Sequence, residues 1–255
     1  MELTRDNQYI KSLTINWDHV KGNHMDSSYP FTLPIIKLME EIAFHPQVTF
    51  IVGENGVGKS TFIEAIATAY GFNPEGGTKN MNFSTEDSHS PLHKYIRIAK
   101  SYRQAKDGFF LRAETVYNVS THIDMLDREG SFGPPLIDSY GGKSLHKQSH
   151  GESFFSIFMH RFSGNGLYIL DEPESALSPT RQMAMLRRID QLVKNGSQFI
   201  IATHSPIILA YPKATIYEIT DQTLEEVPYQ ETEHYRISRG FLEAPDKMLH
   251  HLLDE

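Results

Sequence analysis

Residues 53–60 read Gly-Glu-Asn-Gly-Val-Gly-Lys-Ser, which is the spacing G-x-x-x-x-G-K-S. Glycines so placed let successive backbone N–H groups curl around phosphate oxygens, and a helix beginning there adds its positive dipole end. The loop is predicted to comprise Gly53, Glu54, Asn55, Gly56, Val57 and Gly58. Lys59 reaches the β/γ-phosphates of a nucleoside triphosphate, Ser60 holds Mg²⁺, and Thr61 touches the α-phosphate. A second group lies at 166–174, Gly-Leu-Tyr-Ile-Leu-Asp-Glu-Pro-Glu, where an apolar run ends in acids. Asp171 suits the hydration shell of Mg²⁺, and Glu172 suits a general base toward an attacking water. A third lies at 198–204, Gln-Phe-Ile-Ile-Ala-Thr-His. There His204 is placed to meet a γ-phosphate at the strand edge where open α/β sheets bind ligands. Each group alone also fits a chance glycine turn, an acidic turn or a capping histidine. Their co-occurrence in one chain favours the nucleotide chemistry.

Such residues need strands that end at one edge and helices that begin there. Residues 47–52 (QVTFIV) form a β-rich apolar run that stops at Gly53, as a strand buried on both faces would. Residues 60–70 follow with helical spacing of Phe62, Ile63, Ile66, Ala67 and Tyr70. Strands are also predicted at 8–17, 29–38, 95–101, 109–119, 166–170, 198–203 and near 214–220. Helices are predicted at about 151–162, at 179–194 and, short, at 244–254. The 179–194 helix has Ser178 as N-cap, Pro179 in its first turn and Gly196 just past its end. Residues 71–95 read as a polar loop, and 130–143 as a Gly/Pro-rich one. Strand–helix alternation over 47–203 predicts an α/β fold with a mainly parallel sheet between helices. The N-terminal strands are expected to form an antiparallel lobe beside it.

Composition narrows the classes. The chain has 255 residues, no cysteine and a formal net charge of −8. Its length supports one large domain, and the missing cysteines exclude disulfides and thiolate metal sites. No run of about 18 apolar residues spans a bilayer and no signal peptide opens the chain, so a cytoplasmic location is expected. The acidic balance gives no global footprint for nucleic acid. His89 and His93 are separated by Pro91, and His250 is adjacent to His251, so neither pair makes a helical metal-ligand face.

The order of the P-loop, SHGES (149–153), LYILDEPESALS (167–178) and ATHS (202–205) resembles an ABC-type ATPase, most closely the branch near RecF, SMC and OLD-type proteins. The stretches VTFIVGENGVGKSTFIEAIA, GFNPEGGTKN, DGFFLRAET, QSHGES and THSPIILAYP resemble a family of small stand-alone bacterial ATPases of the AAA/ABC kind. The resemblance implies a P-loop NTPase domain over 1–255. Its parts are a β lobe (1–48), a P-loop core (49–71), an insert and signature lobe (72–165), a core carrying the acids and His204 (166–220) and a tail (221–255). It implies ATP and Mg²⁺ as cofactors and a composite site. Ser149, Gly151 and Glu152 match the signature segment that meets the γ-phosphate bound by a second copy, and 175–178 match the loop crossing that interface. Gln104 is the candidate for the glutamine that senses Mg²⁺ and the attacking water. Tyr29 or Phe31 are candidates to stack on adenine. His150, Glu152 and Ser178 depart from the transporter pattern. About 90 residues separate Lys59 from Ser149 without a heptad run, so the helical lobe is expected to be compact, with no coiled-coil arm.

The main expectation is a switch: ATP closes a homodimer, hydrolysis opens it, and a protein partner or substrate reads the change. Alternatives are the ATP-binding subunit of a membrane transporter, an ATPase of nucleic-acid maintenance or phage defence, and a module that holds ATP without turnover. The signature departures weigh against the membrane partner, and the charge balance weighs against nucleic acid.

Overall fold

A computed structural model describes residues 8–81, 90–129 and 134–253. His89, part of the 71–95 loop and the first residues of the 130–143 loop lie outside the described residues. In chain order the strands are β1 (Ile10–Ile15), β2 (Glu41–Ala43), β3 (Val48–Gly53), β4 (Ile96–Lys100), β5 (Asp107–Arg112), β6 (Gly166–Asp171), β7 (Gln198–Ala202), β8 (Ala214–Ile219) and β9 (Leu224–Glu226). The helices are α1 (Trp17–Gly22), α2 (Pro34–Leu38), α3 (Lys59–Tyr70), α4 (Val116–Glu129), α5 (His150–Ser156), α6 (Pro179–Lys194), α7 (Pro206–Leu209), α8 (Glu233–Glu243) and α9 (Pro245–Leu253).

The central sheet has the order β5-β6-β7-β3-β8-β9, parallel except for β9, which pairs antiparallel with β8. β3, β6 and β7 are buried along their whole length, which explains their unbroken apolar sequences. Alternate side chains of β3 face opposite ways: Phe50 joins a core with α4, α5 and α6, and Ile51 joins one with α3 and the N-terminal strands. The chain is therefore layered on both faces of the sheet, as the alternation predicts.

The antiparallel lobe is a three-stranded sheet, β2-β1-β4. Its third strand comes from beyond residue 48, so two distant stretches build it. Gln198, fully buried at the start of β7, fastens this lobe to the core. Its Oε1 accepts from Tyr9 N (2.9 Å) and Ile10 N (3.0 Å), and its Nε2 donates to Ile10 O (2.9 Å) and His45 O (3.0 Å). A buried amide with both ends satisfied holds two sheets in register.

One expected strand is helical and a second is a strand only in its first part. Residues 29–38 turn and then form α2, because Pro34 at the first helical position loses no hydrogen bond. A helical turn also buries the consecutive Ile35 and Ile36, which a strand would send to opposite faces. In 109–119 the strand ends at Arg112 and α4 begins at Val116. Val116, Val119, Ser120 and Ile123 are all buried at helical spacing, a period that extends past the sequence window first read as a strand. The 179–194 helix matches its reading: Ser178 Oγ accepts from Arg181 N at 3.4 Å, and Gly196 follows with φ 78°. The 151–162 helix is α5 continued by a π-turn over Ile157–Arg161. α8 and β9 had no counterpart in the sequence reading.

Candidate functional site

β7 lies between β3 and β6, and Ala202 is level with both Ile51 and Asp171. The three motifs that follow these strands therefore meet at one edge of the sheet, although more than a hundred residues separate Lys59 from His204. Gly53 closes β3 with φ 149°, and a Cβ there would sit 2.3 Å from the Ile219 carbonyl oxygen, so only glycine passes β8. Gly58 starts α3 at φ 101° against Leu33 and Ile35. Val57 O accepts from Ile35 N at 3.2 Å, so α2 supports the P-loop from below. Lys59 is 4% exposed, and its Nζ donates to Gly53 O and Glu54 O, each at 2.8 Å. Burial lowers its pKa, opposed by the nearby Glu172, Asp171 and Glu174. A cavity of about 350 Å³ opens there, lined by Asn55, Gly56, Gly58, Lys59, Ser60 and Thr61, with Tyr29, Leu33 and Glu172 opposite.

Ser60 Oγ donates to Asp171 Oδ1 at 3.1 Å. Burial pushes the Asp171 carboxyl up to about 6, against the lowering effects of Arg112 and of this hydrogen bond. A hydroxyl and a carboxylate side by side are hard oxygen donors. That donor set fits Mg²⁺ bound through one carboxylate and substrate phosphates. Glu172 follows in the left-handed region, φ 46°, which turns its side chain out of the strand direction. Its Oε1 lies 3.4 Å from His204 Nε2. Burial lowers the His204 pKa, with Lys59 adding to the effect and Glu172 opposing it.

Glu174 braces these loops, a role its sequence position does not advertise. Its Oε2 accepts from Thr203 Oγ1 at 2.7 Å and its Oε1 from the His204 backbone N–H. Arg112 was likewise missed. It lies at the C-terminal end of β5, with Nη1 2.9 Å from Glu64 Oε2 and Nε 3.3 Å from Asp171 Oδ2. The only sequence signal was an arginine ending an apolar run.

Gln104 is not at this site. It precedes β5 and lines a cavity with Tyr9, Tyr70 and Lys79, near the far end of α3. β5 spans roughly 16 Å at ~3.3 Å per residue, and its other end carries Arg112 to Asp171. The expectation for Gln104 is corrected: Arg112 holds the place beside the acid. Phe31 is fully buried and cannot stack on a base, whereas Tyr29 is 59% exposed with its hydroxyl 3.0 Å from Thr61 Oγ1.

Ser149, Gly151 and Glu152 do not line the P-loop cavity of their own chain. Ser149 caps α5: its Oγ accepts from Glu152 N at 3.4 Å, and Glu152 Oε2 accepts from Ser149 N at 2.9 Å and Ser149 Oγ at 2.8 Å. Gly151 packs on Ala176, four residues past Glu172.

A parallel sheet with a P-loop after one strand and an acidic pair after another defines an ABC-type P-loop ATPase domain. Comparisons agree. Residues 36–144 match a family described as AAA domain, and residues 145–210 one described as AAA domain, putative AbiEii toxin, Type IV TA system. The hemin import ATP-binding protein HmuV of Rhodopseudomonas palustris is 24% identical over 190 residues, 68% of this chain and 70% of that protein. An uncharacterized ABC transporter ATP-binding protein of Haemophilus influenzae is 25% identical over 173 residues, 63% of this chain and 65% of that protein. Among solved structures, cbiO1 from Clostridium perfringens, part of the ABC transporter complex cbiONQ, superposes with a TM-score of 0.50 at 17% identity, covering 97% of this chain and 100% of that one. The SMC head domain from Thermotoga maritima superposes with a TM-score of 0.47 at 16% identity, covering 87% of this chain and 100% of that one. Together the two AAA-domain matches run over residues 36–210, and the fold is that of P-loop nucleotide-binding domains of the ABC kind. Among the described residues no helix is long and apolar enough to cross a membrane.

Proposed function

We propose that the protein binds Mg·ATP, hydrolyses it, and uses the cycle to close and open a homodimer. The observation that carries this is the convergence of Lys59, the Ser60–Asp171 pair and the Glu172–His204 pair at one sheet edge. P-loop N–H groups cradle the phosphates, and Lys59 exchanges its two loop carbonyls for phosphate oxygens. Ser60 and Asp171 are the residues that would hold Mg²⁺, which when bound neutralises phosphate charge. Glu172 takes a proton from the attacking water as its oxygen bonds to the γ-phosphorus. The bond to the β,γ-bridging oxygen breaks, and ADP and phosphate leave. His204 presents its Nε2 toward the same phosphate.

Closure into a dimer is supported by the exposure of Ser149 and Glu152 away from their own P-loop. Across a two-fold axis, each signature segment would complete its partner's site. A partner protein then reads the closed state. Glu172→Gln is expected to abolish turnover while keeping nucleotide binding, and its mass by light scattering should double with Mg·ATP. Unchanged turnover removes Glu172 as base; a mass that stays monomeric with ATP bound removes the self-sufficient dimer.

The second reading is the ATP-binding subunit of a membrane transporter. It is favoured by the names of the relatives matched over about two thirds of this chain. Co-purification of the native chain with an integral membrane protein would select it. A role in nucleic-acid maintenance or phage defence has only the description of the family matched at 145–210 behind it, against a net charge of −8.

A further inference from the structure

His204 has a neighbour on each ring nitrogen. Its Nε2 faces Glu172 Oε1 at 3.4 Å, and its Nδ1 meets His234 Nε2 at 2.9 Å. His234 is the second residue of α8, whose start is pinned to the core. Glu233 N donates to Glu218 Oε1 at 2.8 Å, and the fully buried Thr232 caps the helix by accepting from Tyr235 N. Burial lowers the pKa of both imidazoles, and at pH 8, above the ordinary histidine value of ~6.5, each is neutral and carries one N–H.

A hydrogen bond between two neutral rings allows two arrangements. If His204 Nδ1–H donates, His204 Nε2 is a bare lone pair facing a carboxylate oxygen. His234 must then carry its proton on Nδ1, which is buried with no hydrogen-bond partner. That leaves one repulsive contact and one orphaned N–H, which buried sites rarely tolerate. If His234 Nε2–H donates instead, His204 Nε2–H faces the Glu172 carboxylate at 3.4 Å, an attractive contact of dipole with charge though longer than a hydrogen bond. His234 Nδ1 is then a lone pair, which a buried site tolerates better than an unpaired N–H. Both considerations select the second arrangement.

We infer that His234 is a positioning residue that fixes His204 as the Nε2–H tautomer, so that His204 offers a proton donor toward Glu172 and the γ-phosphate. The inference rests on the proposed function for the role of that donor, though the tautomer is a property of the nucleotide-free chain. It also ties the tail, through α8, to the reacting edge of the sheet.

The test is long-range ¹H–¹⁵N NMR of the full chain labelled at histidine, at pH 8 without nucleotide, with the His204 signals assigned by their loss in His204→Gln. The wild type is expected to show the Nε2–H form. His234→Gln keeps a donor at the same place, and should preserve that form and hold turnover within about twofold. His234→Phe keeps the size without the donor. It should give mixed tautomers and lower kcat roughly tenfold, the scale of one lost hydrogen bond, with nucleotide affinity unchanged. A wild-type Nδ1–H form overturns the assignment, and so does an unmixed Nε2–H form in His234→Phe. Should the Phe variant fail to fold, the wild-type and His234→Gln spectra still decide. A wild-type chain with the Nε2–H form but no turnover would defeat the ATPase reading and leave the tautomer assignment standing.

Discussion

Gly151 approaches Ala176 so closely that a Cβ built on it would lie 2.3 Å from the Ala176 carbonyl oxygen. The bare backbone at the start of α5 is therefore required inside one chain, before any second copy is considered. It couples the signature segment to the turn that carries Glu172. Gly151→Ala must displace a backbone carbonyl, and a loss of about 1–3 kcal/mol in unfolding free energy is expected, the usual scale of overpacking. Ser149→Ala should lose about 1 kcal/mol through the cap alone. Denaturant unfolding of both measures this; an unperturbed Gly151→Ala would mean the contact is looser than described.

Arg112 stands between Glu64 and Asp171 with 15%, 14% and 7% side-chain exposure respectively, so the cluster is largely shielded from solvent. Arg112→Leu leaves the buried Asp171 and the part-buried Glu64 without their cation. A loss of about 3–5 kcal/mol is expected in urea unfolding. A change under about 1 kcal/mol would show that Arg112 does not compensate these acids.

Tyr29 is half-exposed beside the P-loop and contributes little to the core. Tyr29→Ala should weaken ATP binding about tenfold, within the ~1–3 kcal/mol range of base–aromatic stacking, and leave the melting temperature nearly unchanged. Tyr29→Phe keeps the ring and loses only the contact to Thr61, so its affinity should stay near wild type. Equal binding by Tyr29→Ala and wild type, in a fluorescent-nucleotide titration, would free Tyr29 of this role.

Asp107, at the other end of β5, accepts from Arg161 Nη1 (2.9 Å), Tyr168 Oη (2.7 Å), Ser163 Oγ (2.9 Å) and Ser163 N (3.1 Å). Burial alone would raise its carboxyl pKa, but Arg161 and the hydrogen bonds from Tyr168 and Ser163 outweigh it and hold the group below its usual value. A depressed folded pKa adds stability that is full above the unfolded value, ~4, and is lost as pH falls through the folded one. Asp107→Asn should cost about 1.5–3 kcal/mol at pH 7. The difference from wild type should shrink below pH 4, and a difference constant from pH 7 to pH 3 would refute the linkage.

The P-loop, the Asp171–Glu172 pair and His204 were legible because each is local. A run of β-branched and apolar residues makes a buried strand, and the next few residues come out at the sheet's edge wherever that strand lies in the sheet. The same locality misled at 29–38 and 109–119. There short apolar runs fit strand and helix equally, and burial against the P-loop or the far core made the choice. Gln104 was read from its residue type, yet the direction of β5 carries it to the wrong end of the sheet.

By itself, then, the sequence determined the α/β class, the phosphate loop and the acids, since these follow from backbone geometry and residue type within about ten positions. Tertiary structure alone decided which residues share the site with them. The strand order sets β7 between β3 and β6, and so brings together groups far apart in the chain. Arg112 reaches Asp171, Glu174 reaches His204, and His234 reaches His204 from a helix that the core did not announce. Contacts across such separations depend on how buried strands are ordered and which helix ends they meet, and no short stretch of residues encodes that.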